Sequence, residues 1–303
     1  MNVGAGDTVL VVVNPRSGNR DRREDVAQLA ARVERAGLTV QSCTDLNNAA
    51  QVISALHDAG RLRTVVAAGG DGTVRSVVNW TPAGVPVLVY PLGTENLLAR
   101  YLGMPRDAAQ LAEILLHGRT VVMDAGRIGE RLFLVVATCG FDAQVVARMD
   151  QLRRGNISRW TYAWPILHSL FTYRFPKVHV RVEGPAGVEE HDAGWVFVFN
   201  APSYAAHIPI CPEADPTDGL LDVCTFRRRG IVWGLWYLGR VWTGSHRKSR
   251  QFFHRRCYSV RLTGAGDAFR RGRPLYQQDG DLGGHLPVDI QVLPRRARFV
   301  VPH

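Results

Sequence analysis

The segment "TVVAAGGDGTVRSVVNW" (64–80) decides the fold of the first half of the chain. Its β-branched, apolar start is typical of a buried strand, and "TVRSVVNW" (73–80) has the spacing of a helix. The glycine-rich turn between them carries one acidic residue, Asp71. Gly and Asp suit tight turns for local backbone reasons, so this turn alone does not distinguish a structural role from a catalytic one.

The same alternation of strand and helix extends over the first 123 residues. Apolar, β-branched runs predict parallel strands that are buried on both faces, at 8–13, 38–43, 64–68 and 86–90. Helix-like stretches lie between these strands, at 23–37, 47–60 and 73–80, and further ones follow the fourth strand. This βαβα order predicts an α/β domain with an open, mostly parallel sheet and helices on both faces.

Strand-like runs dominate from about residue 121 onward, and few helices interrupt them. These runs are 121–128, 131–138, 177–184, 194–201, 220–226, 257–264 and 288–294. The pattern predicts a second, mostly antiparallel β domain of the sandwich type. We therefore assign residues 1–123 to the α/β domain and 124–291 to a β-sandwich domain, and we expect a cleft between them.

The chain is basic, with a formal net charge of +10 and an isoelectric point near 9.9. Such a charge favours a polyanionic partner. The possibilities are nucleic acid, an anionic membrane or a phosphorylated small molecule. Five scattered cysteines without a C-x-x-C pair predict reduced thiols, mostly buried, in a cytosolic protein. The start of the sequence lacks signal-peptide features, and no stretch approaches the ~20 apolar residues of a spanning helix. We expect a cytoplasmic protein that is at most peripherally associated with membranes.

Three unusual turns follow the first, third and fourth predicted strands: "NPRSGN" (14–19), "GGDGT" (69–73) and "PLGTEN" (91–96). The carboxyl ends of parallel strands meet at one edge of a sheet, where open α/β proteins bind ligands. Backbone N–H groups at such turns bind phosphate, aided by the helix dipole, and glycines allow a close approach. The candidate phosphate-binding residues in these turns are Ser17, Gly18, Gly69, Gly70, Gly72, Thr73, Gly93, Thr94 and Asn96. None of the turns is a G-x-x-x-x-G-K-[ST] loop, and the G-x-G-x-x-G fingerprint is missing.

These turns and three later blocks resemble the diacylglycerol kinase catalytic family, which includes sphingosine and ceramide kinases and bacterial lipid kinases. "NPRSG" is similar to the family's N-P-x-S-G, "GGDGTVRSVVNW" to G-G-D-G-T-x-x-E-V-x-N-G, and "PLGTENLLAR" to P-L-G-T-x-N-D-x-A-R. In the second half, "GFDAQV" (140–145), "CPEADPTDGLLDV" (211–223) and "QQDGD" (277–281) resemble G-x-D-x-x-V, P-x-A-x-x-x-D-G-x-L-D-V and D-G-E. The six blocks cover nearly the whole chain. The resemblance implies an NAD kinase-like nucleotide-binding domain, completed by residues 292–303, and a β-sandwich lipid-substrate domain.

The resemblance also implies the activity of an ATP- and Mg²⁺-dependent lipid kinase that transfers the γ-phosphoryl group to a lipid hydroxyl. Such a transfer needs positioned phosphates, neutralised charge and a carboxylate that accepts the hydroxyl proton. By similarity, the second turn holds the nucleotide phosphates and Asp71 faces the reacting one, where it either polarises the acceptor hydroxyl or orders Mg²⁺ through water. Asp281 takes the place of the family's second acidic group and is the other candidate base. Asn14 and Thr44 then lie near the nucleotide. The resemblance also implies a structural Mg²⁺ site with oxygen ligands from Asp215, Asp218 and the Leu220 carbonyl. Asp124 matches an Asp that the family uses in a water-mediated network near the metal.

Three positions depart from the family pattern. The Glu after G-G-D-G-T is Ser76, the Asp of G-T-x-N-D is Leu97, and the shorter Asp281 replaces the Glu of D-G-E. Two alternatives therefore stay open, which are an NAD kinase-like enzyme with a soluble acceptor and a nucleotide- or lipid-binding protein with impaired catalysis. The identity of the lipid, the nucleotide donor and the formation of a homodimer are also left open.

The stretch 227–256 is rich in basic and aromatic residues, with nine Lys or Arg, three Trp and no acid. This composition is typical of a surface that docks on an anionic membrane, and segment 153–174 is similar. The alternative is that the aromatic side chains fill the core and the arginines form a solvated face. We predict membrane contact through Trp233, Trp236, Arg247, Lys248 and Arg250. The sequence shows no recognisable nucleic-acid-binding module, so we do not expect nucleic acid as a partner.

Overall fold

The computed structural model describes residues 6–15, 17, 23–152, 176–204, 208–265 and 273–303. The predicted nucleotide-binding residue Gly18 and the basic, aromatic segment 153–174 lie outside this part of the chain. The chain forms two compact units, of which unit 1 is Met1–Asp124 with Pro294–His303 and unit 2 is Ala125–Leu293. The domain boundary expected from the sequence, after residue 123 and again before residue 292, lies close to this division.

Unit 1 alternates strands and helices. Its elements are β1 (Thr8–Val13), α1 (Arg23–Arg35), β2 (Thr39–Cys43), α2 (Leu46–Asp58), β3 (Leu62–Gly69), α3 (Asp71–Trp80), β4 (Pro86–Pro91), α4 (Leu97–Tyr101), α5 (Ala108–His117) and the start of β5 (Arg119–Ile128). The strands pair in parallel in the order β2-β1-β3-β4, and the end of the final strand (Val288–Val301) adds a further parallel strand beside β4. β1, β3 and β4 are almost entirely buried, which explains their mainly apolar sequences.

Local side chains fix where two of the helices begin. Asp45 caps α2 by accepting a hydrogen bond from the backbone N–H of Asn47 at 3.0 Å. Asp107 caps α5 in the same way, by accepting from the N–H of Gln110 at 2.9 Å. A cap of this kind satisfies an N–H group that has no partner within the helix, and its loss costs about 1 kcal/mol.

Unit 2 consists mainly of antiparallel strands. Its further elements are β6 (Arg131–Phe133), β7 (Val136–Cys139), α6 (Phe141–Leu152), β8 (Val178–Gly184), β9 (Gly187–Ala193), β10 (Trp195–Phe199), β11 (Leu221–Phe226), α7 (Ile231–Trp242), a 3-10 helix (Ser245–Lys248), β12 (Phe252–Cys257), β13 (Ser259–Gly264), β14 (Leu275–Gln278), β15 (Asp281–His285) and β16 (Val288–Val301). One sheet has the order β12-β11-β10-β7-β14-β15. In the other sheet, β9, β8, β13 and the first half of β16 are neighbours.

Apolar side chains of both unit 2 sheets share one buried core. Val180 and Ile290 belong to one sheet, and Val198 and Val223 belong to the other. This arrangement is the predicted β-sandwich, and the parallel α/β sheet of unit 1 is likewise as predicted. No helix within the described part of the chain has both the length and the apolar character that crossing a membrane requires.

The sequence predicts one strand over 131–138, whereas the structure has two strands, β6 and β7, with a break between them. The backbone N–H groups of Leu134, Val135 and Val136 donate to the carboxylate of Asp279 instead of continuing one ladder. Periodicity also misses β9, whose sequence "GVEEHDA" is polar because most of the strand is exposed. Helices α6 and α7 are likewise more extensive than the strand-rich pattern predicts.

Candidate active site

The three glycine-bearing turns of unit 1 lie side by side at the carboxyl edge of the parallel sheet. The registers of β1 with β3 and of β3 with β4 align the ends of these strands. The N–H of Asn14 donates to the carbonyl of Ala68 at 3.0 Å, and the N–H of Leu92 donates to the carbonyl of Gly69 at 2.9 Å. The convergence of the turns that the sequence indicated is therefore present within this unit.

The first two turns are joined through the buried side chain of Thr73. Nδ2 of Asn14 donates to Oγ1 of Thr73 at 3.1 Å. A Cβ atom at Gly69 would lie only 2.3 Å from the same Oγ1, so a larger residue at this position would displace Thr73. The glycine is thus required by the close approach of the turn to the first residues of α3.

The second and third turns touch backbone to backbone. A Cβ atom at Gly93 would lie 2.6 Å from Cα of Gly70, closer than side-chain atoms pack. Asn96, which is buried and has a φ of 50°, holds the third turn in shape. Its Oδ1 accepts from the N–H of Gly93 at 2.9 Å, and its Nδ2 donates to the carbonyl of Gly93 at 2.7 Å. Both polar atoms of the Asn96 amide therefore bond to the backbone of the turn. This structural role is one that the sequence did not predict.

Asp71 is the first residue of α3, in the second turn, and its side chain is half-buried. Its Oδ1 accepts a hydrogen bond from the N–H of Leu98, at the start of α4, at 3.3 Å. Next to it, an added Cβ at Gly72 would meet no described atom within 4 Å. The N-terminus of this ten-residue helix thus combines a positive dipole end, an open approach to the backbone and one carboxylate. Such an arrangement can bind a phosphate beside a proton acceptor.

The three remaining described residues of the predicted nucleotide site also belong to the carboxyl edge. Ser17 is half-buried, and its N–H donates to the carbonyl of Asn14 at 3.0 Å, which closes the first turn. Thr44 follows the end of β2, and Thr94 lies in the third turn; both are exposed. Their hydroxyl groups are placed where they can donate to a ligand at this edge.

Asp124, implied by the resemblance to act near a metal, is almost completely buried in unit 1. Its Oδ1 accepts from the N–H of Arg295 at 2.7 Å. Arg295 has a φ of 55°, in the left-handed region that a non-glycine residue rarely adopts. The carboxylate therefore stabilises the bend by which the end of the chain enters unit 1. Its part in a metal network stays a prediction.

In unit 2, the turn between β14 and β15 carries two acidic residues with different surroundings. The carboxylate of Asp279 accepts from three backbone N–H groups, those of Leu134, Val135 and Val136, at 2.6, 3.0 and 2.9 Å. Asp281, the predicted second acidic group, is the first residue of β15 and is half-buried. Asp279 is therefore a structural residue of the turn, and the role of Asp281 as the second acidic group stays a prediction.

A polar network below this turn joins it to the "GFDAQV" block. Gln277 accepts from the N–H of Gly280 at 2.8 Å, while its Nε2 donates to Oδ2 of Asp142 at 3.0 Å. Oγ1 of Thr138 donates to the same Oδ2 at 2.5 Å, and the Tyr204 hydroxyl donates to Oδ1. Burial, together with the Asp142 carboxylate, raises the pKa of Tyr204 well above its usual value. The sequence did not indicate a role for Thr138 or Tyr204. Each is identified as part of this network only by its hydrogen bond to Asp142 in the folded chain.

The predicted Mg²⁺ ligands lie in the loop before β11, where they make local hydrogen bonds. Oδ1 of Asp215 accepts from the N–H and Oγ1 of Thr217 at 2.9 and 2.7 Å. Oδ1 of Asp218 accepts from the N–H of Leu220 at 3.0 Å, and its Oδ2 pairs with Arg256 at 3.1 Å. Two carboxylates and a carbonyl suit a hard cation. Arg256 already supplies a positive charge to Asp218, so an ion there would compete with this pair.

Of the two predicted membrane-contact tryptophans on α7, Trp236 is exposed and Trp233 is half-buried. The guanidinium of Arg228 lies 5.5 Å from the Trp233 ring centroid, and that of Arg240 lies 4.9 Å from the Trp236 ring. Besides Trp236, the helix exposes an apolar face that the sequence did not predict, formed by Val232, Leu235, Leu238 and Trp242. Val232 is 79% exposed and Trp242 is 76% exposed, so this face is covered by no described part of the chain.

The three predicted basic contacts follow α7, and all are exposed. Arg247 forms an ion pair with Glu213 at 2.6 Å, which offsets part of its charge. Lys248 ends the 3-10 helix, and Arg250 lies just before β12. Lys248 and Arg250 are thus better placed than Arg247 to attract an anionic surface.

Comparison with known proteins agrees with the fold and with the order of the sequence blocks. Residues 8–128 match the "Diacylglycerol kinase catalytic domain", and residues 135–301 match the "YegS C-terminal NAD kinase beta sandwich-like domain". Together these domains define the class of two-domain kinases with an α/β unit followed by a β-sandwich. The chain belongs to the diacylglycerol kinase catalytic family.

Similar proteins align over almost their full length. A diacylglycerol kinase of Mycobacterium tuberculosis (strain ATCC 25618 / H37Rv) is 27% identical, over 97% of this chain and 95% of that protein. A protein of Pseudomonas syringae pv. tomato, named "Probable lipid kinase YegS-like", is 29% identical, over 94% of this chain and 95% of its own length. A crystal structure of a diacylglycerol kinase from Bacillus anthracis has a TM-score of 0.72 at 22% identity and covers 98% of both chains. At that identity the structural likeness shows the fold alone.

Proposed function

We propose that this chain is an ATP- and Mg²⁺-dependent lipid kinase that transfers the γ-phosphoryl group to the hydroxyl of diacylglycerol or a sphingoid-type lipid. The observation that carries the proposal is the position of Asp71 at the N-terminus of α3, in a turn that glycine contacts fix against its neighbours. Membership of the diacylglycerol kinase catalytic family and the names of the similar proteins support the lipid acceptor.

The groups of unit 1 account for the binding of phosphate. The first-turn N–H groups of α3 and the open backbone at Gly72 offer a site for phosphate oxygens, with the hydroxyls of Thr44 and Thr94 at the same edge. Phosphoryl transfer depends chiefly on such positioning and on the neutralisation of charge. A bound Mg²⁺ ion would supply that neutralisation. The loop residues Asp215 and Asp218 have the oxygen chemistry to hold a separate, structural Mg²⁺ ion.

The proton of the acceptor needs a base within hydrogen-bond reach. In the proposed reaction the lipid hydroxyl oxygen attacks the γ-phosphorus, the bond to the leaving ADP oxygen breaks, and the hydroxyl proton passes to the Asp71 carboxylate. The contact of Oδ1 with the N–H of Leu98 orients this carboxylate. Asp281 is proposed as the second acidic group of the reaction.

A lipid acceptor lies in a membrane, and α7 provides a surface that fits one. The exposed apolar face of this helix is followed in sequence by Lys248 and Arg250. Apolar side chains beside cations are the features by which an interfacial helix binds an anionic bilayer. We propose that this face brings the kinase to its substrate as a peripheral membrane protein in the cytoplasm.

The test is a transfer assay with the purified chain, labelled ATP and Mg²⁺, offered diacylglycerol, sphingosine, ceramide and NAD as separate acceptors. We expect label in one of the lipid fractions.

The matched variant Asp71→Asn keeps an oxygen that can accept from Leu98 but removes the carboxylate charge, and it should lower the transfer rate by roughly 100-fold or more. Label in NAD alone would replace the lipid kinase with the soluble-acceptor alternative. Absence of transfer to all four acceptors, with ATP still bound, would indicate the binding protein, and full activity of the variant would remove Asp71 from the mechanism.

A further inference from the structure

A cluster of two cysteines and one histidine lies in unit 2. It contains none of the residues discussed so far as catalytic. Cys224 on β11 and His254 on β12 are direct cross-strand partners, so their side chains emerge next to each other on one face of the sheet. Leu221 and Val223 point into the sandwich core, so this face is the opposite one. Cys211, from the loop before β11, is buried against the same place.

The donor atoms of the cluster are close enough to share one ion. The two sulfurs and one imidazole nitrogen all lie within 4.8 Å of one another. Sγ of Cys211 is 3.8 Å from Nε2 of His254. A tetrahedral zinc ion, with Zn–S of about 2.3 Å and Zn–N of about 2.0 Å, holds such a pair roughly 3.5 Å apart. Only a small adjustment therefore separates this geometry from that of a zinc site.

Two carboxylates complete the surroundings. Oδ1 of the buried Asp222 lies 2.6 Å from Nε2 of His254, and Oε1 of Glu213 lies 3.8 Å from Nδ1. If an ion replaces the proton between Nε2 and Asp222, these two atoms must move from 2.6 Å to roughly 3.3 Å apart for the Asp222 oxygen to serve as a fourth ligand. Glu213 also pairs with Arg247 at 2.6 Å, so it would have to move closer to Nδ1 to accept from Nδ1–H. Such a carboxylate–histidine contact commonly orients a zinc-bound imidazole.

The types of donor atom indicate which ion this cluster would bind. All five cysteines of the chain are buried free thiols, and this is where two of them lie beside a histidine. Thiolate sulfur with imidazole selects a soft or borderline ion such as Zn²⁺ over Mg²⁺.

We propose that Cys211, Cys224 and His254 bind one Zn²⁺ ion, with Asp222 as the fourth ligand and Glu213 orienting the histidine. Binding releases the protons of the two thiols and of Nε2 to solvent, with no change of oxidation state. The ion ties the loop that contains Asp215 and Asp218 to the sheet strands β11 and β12. Its role is structural, since all four ligands are side chains of the protein.

The experiment uses the whole chain, reduced and freed of metal with a chelator, and titrates it with Co²⁺ as a spectroscopic substitute for Zn²⁺. We expect one Co²⁺ per chain, with a thiolate-to-cobalt charge-transfer band and the intense visible bands of a tetrahedral site, which one equivalent of Zn²⁺ abolishes. Cys224→Ser should lose the charge-transfer band. Cys139→Ser, which alters an equally buried cysteine of the same unit outside the cluster, should keep it. Glu213→Gln should keep the band and weaken Zn²⁺ binding by ~10- to 100-fold.

A measurement on the unaltered chain covers the case in which a cysteine variant does not fold. Zn²⁺ should slow the alkylation of Cys211 and Cys224 by N-ethylmaleimide at least roughly tenfold, as expected for metal-bound thiolates, and leave Cys43 unchanged. The proposal is overturned if the wild-type chain shows neither the band nor this protection, or if the band persists in folded Cys224→Ser. Formation of a Cys211–Cys224 disulfide without any metal binding would also overturn it. None of these readouts depends on kinase activity.

Discussion

The glycines of the three turns in unit 1 differ in whether neighbouring atoms leave room for a side chain. At Gly69 and Gly93 a Cβ atom would collide with Thr73 or with the backbone of Gly70, so packing within the protein requires glycine. At Gly72 the space is open to the described part of the chain, and the residue lies in the first turn of a helix, where alanine is favoured. A bound phosphate would account for the glycine at this position.

Gly72→Ala separates these explanations. We expect the variant to be as stable as the wild type, or more stable by up to ~1 kcal/mol, because alanine favours helix and meets no atom. We also expect its KM for ATP to rise at least roughly tenfold, because the methyl group occupies the approach of the phosphate. Thermal unfolding and steady-state kinetics measure both effects. Gly93→Ala is the contrasting control and should destabilise the protein by about 2 kcal/mol or more. An unchanged KM in Gly72→Ala would place the phosphate elsewhere.

Single residues also show where prediction from sequence ends. Asp71 is recognisable because its turn has a characteristic composition between a strand and a helix. The amide of Asn96 and the carboxylate of Asp124 instead bond to backbone groups within unit 1, which no local pattern reveals. Cys211 and His254 become neighbours only through a loop and a cross-strand pairing, so neither has the short ligand spacing that marks a zinc site in sequence.

At the scale of elements, the turn between β14 and β15 assigns two adjacent acids to different tasks. Asp279 has a φ of 47° and accepts three backbone N–H groups, which interrupts the run 131–138 into β6 and β7. A buried or half-buried N–H group without a partner costs about 1–3 kcal/mol. The D-G-E block of the family is therefore, in this chain, a structural acid followed by a candidate catalytic acid.

Replacing each acid in turn tests this division. Asp279→Ala should destabilise the protein by about 2–4 kcal/mol, because three donors lose their acceptor and alanine is strained at positive φ. Asp281→Ala should leave the unfolding temperature within a few degrees of wild type but lower phosphoryl transfer by roughly 100-fold. Asp281→Glu should preserve or raise activity if this residue fills the family's acidic role. Equal losses of stability in the two alanine variants would contradict the division.

Elements buried on both faces were the easiest to predict. The apolar runs of β1, β3 and β4 have ends within two residues of the structure, because every side chain in such strands must be apolar. The antiparallel half was harder. β9 is mostly exposed and polar, and α7 has an apolar composition that does not reveal which face is covered. Its outward face could be identified only after Tyr237 and Val241 were seen to be buried.

At the scale of the whole molecule, the proposed membrane contact would combine the net charge of +10 with the exposed apolar face of α7. Long-range attraction of a basic protein to an anionic bilayer weakens as salt screens it, whereas burial of apolar side chains depends little on salt. Membrane binding by this chain should therefore contain two separable contributions. Separating the two contributions also shows whether α7 is a docking surface or a solvated face, since a solvated face would add to membrane binding only through its charge.

Sedimentation with vesicles of increasing phosphatidylserine content, at several salt concentrations, measures both contributions. Trp242→Ala should weaken binding roughly fivefold or more at every salt concentration, because it removes an exposed apolar anchor. Lys248→Gln with Arg250→Gln should reduce the salt dependence and weaken binding at low salt, by about 1 kcal/mol for each cation. Tyr258→Ala, an aromatic residue that is 51% exposed outside α7, is the matched control and should bind as the wild type does. If Trp242→Ala and Tyr258→Ala bind alike, the α7 face is not the membrane contact, and the attraction comes from net charge alone.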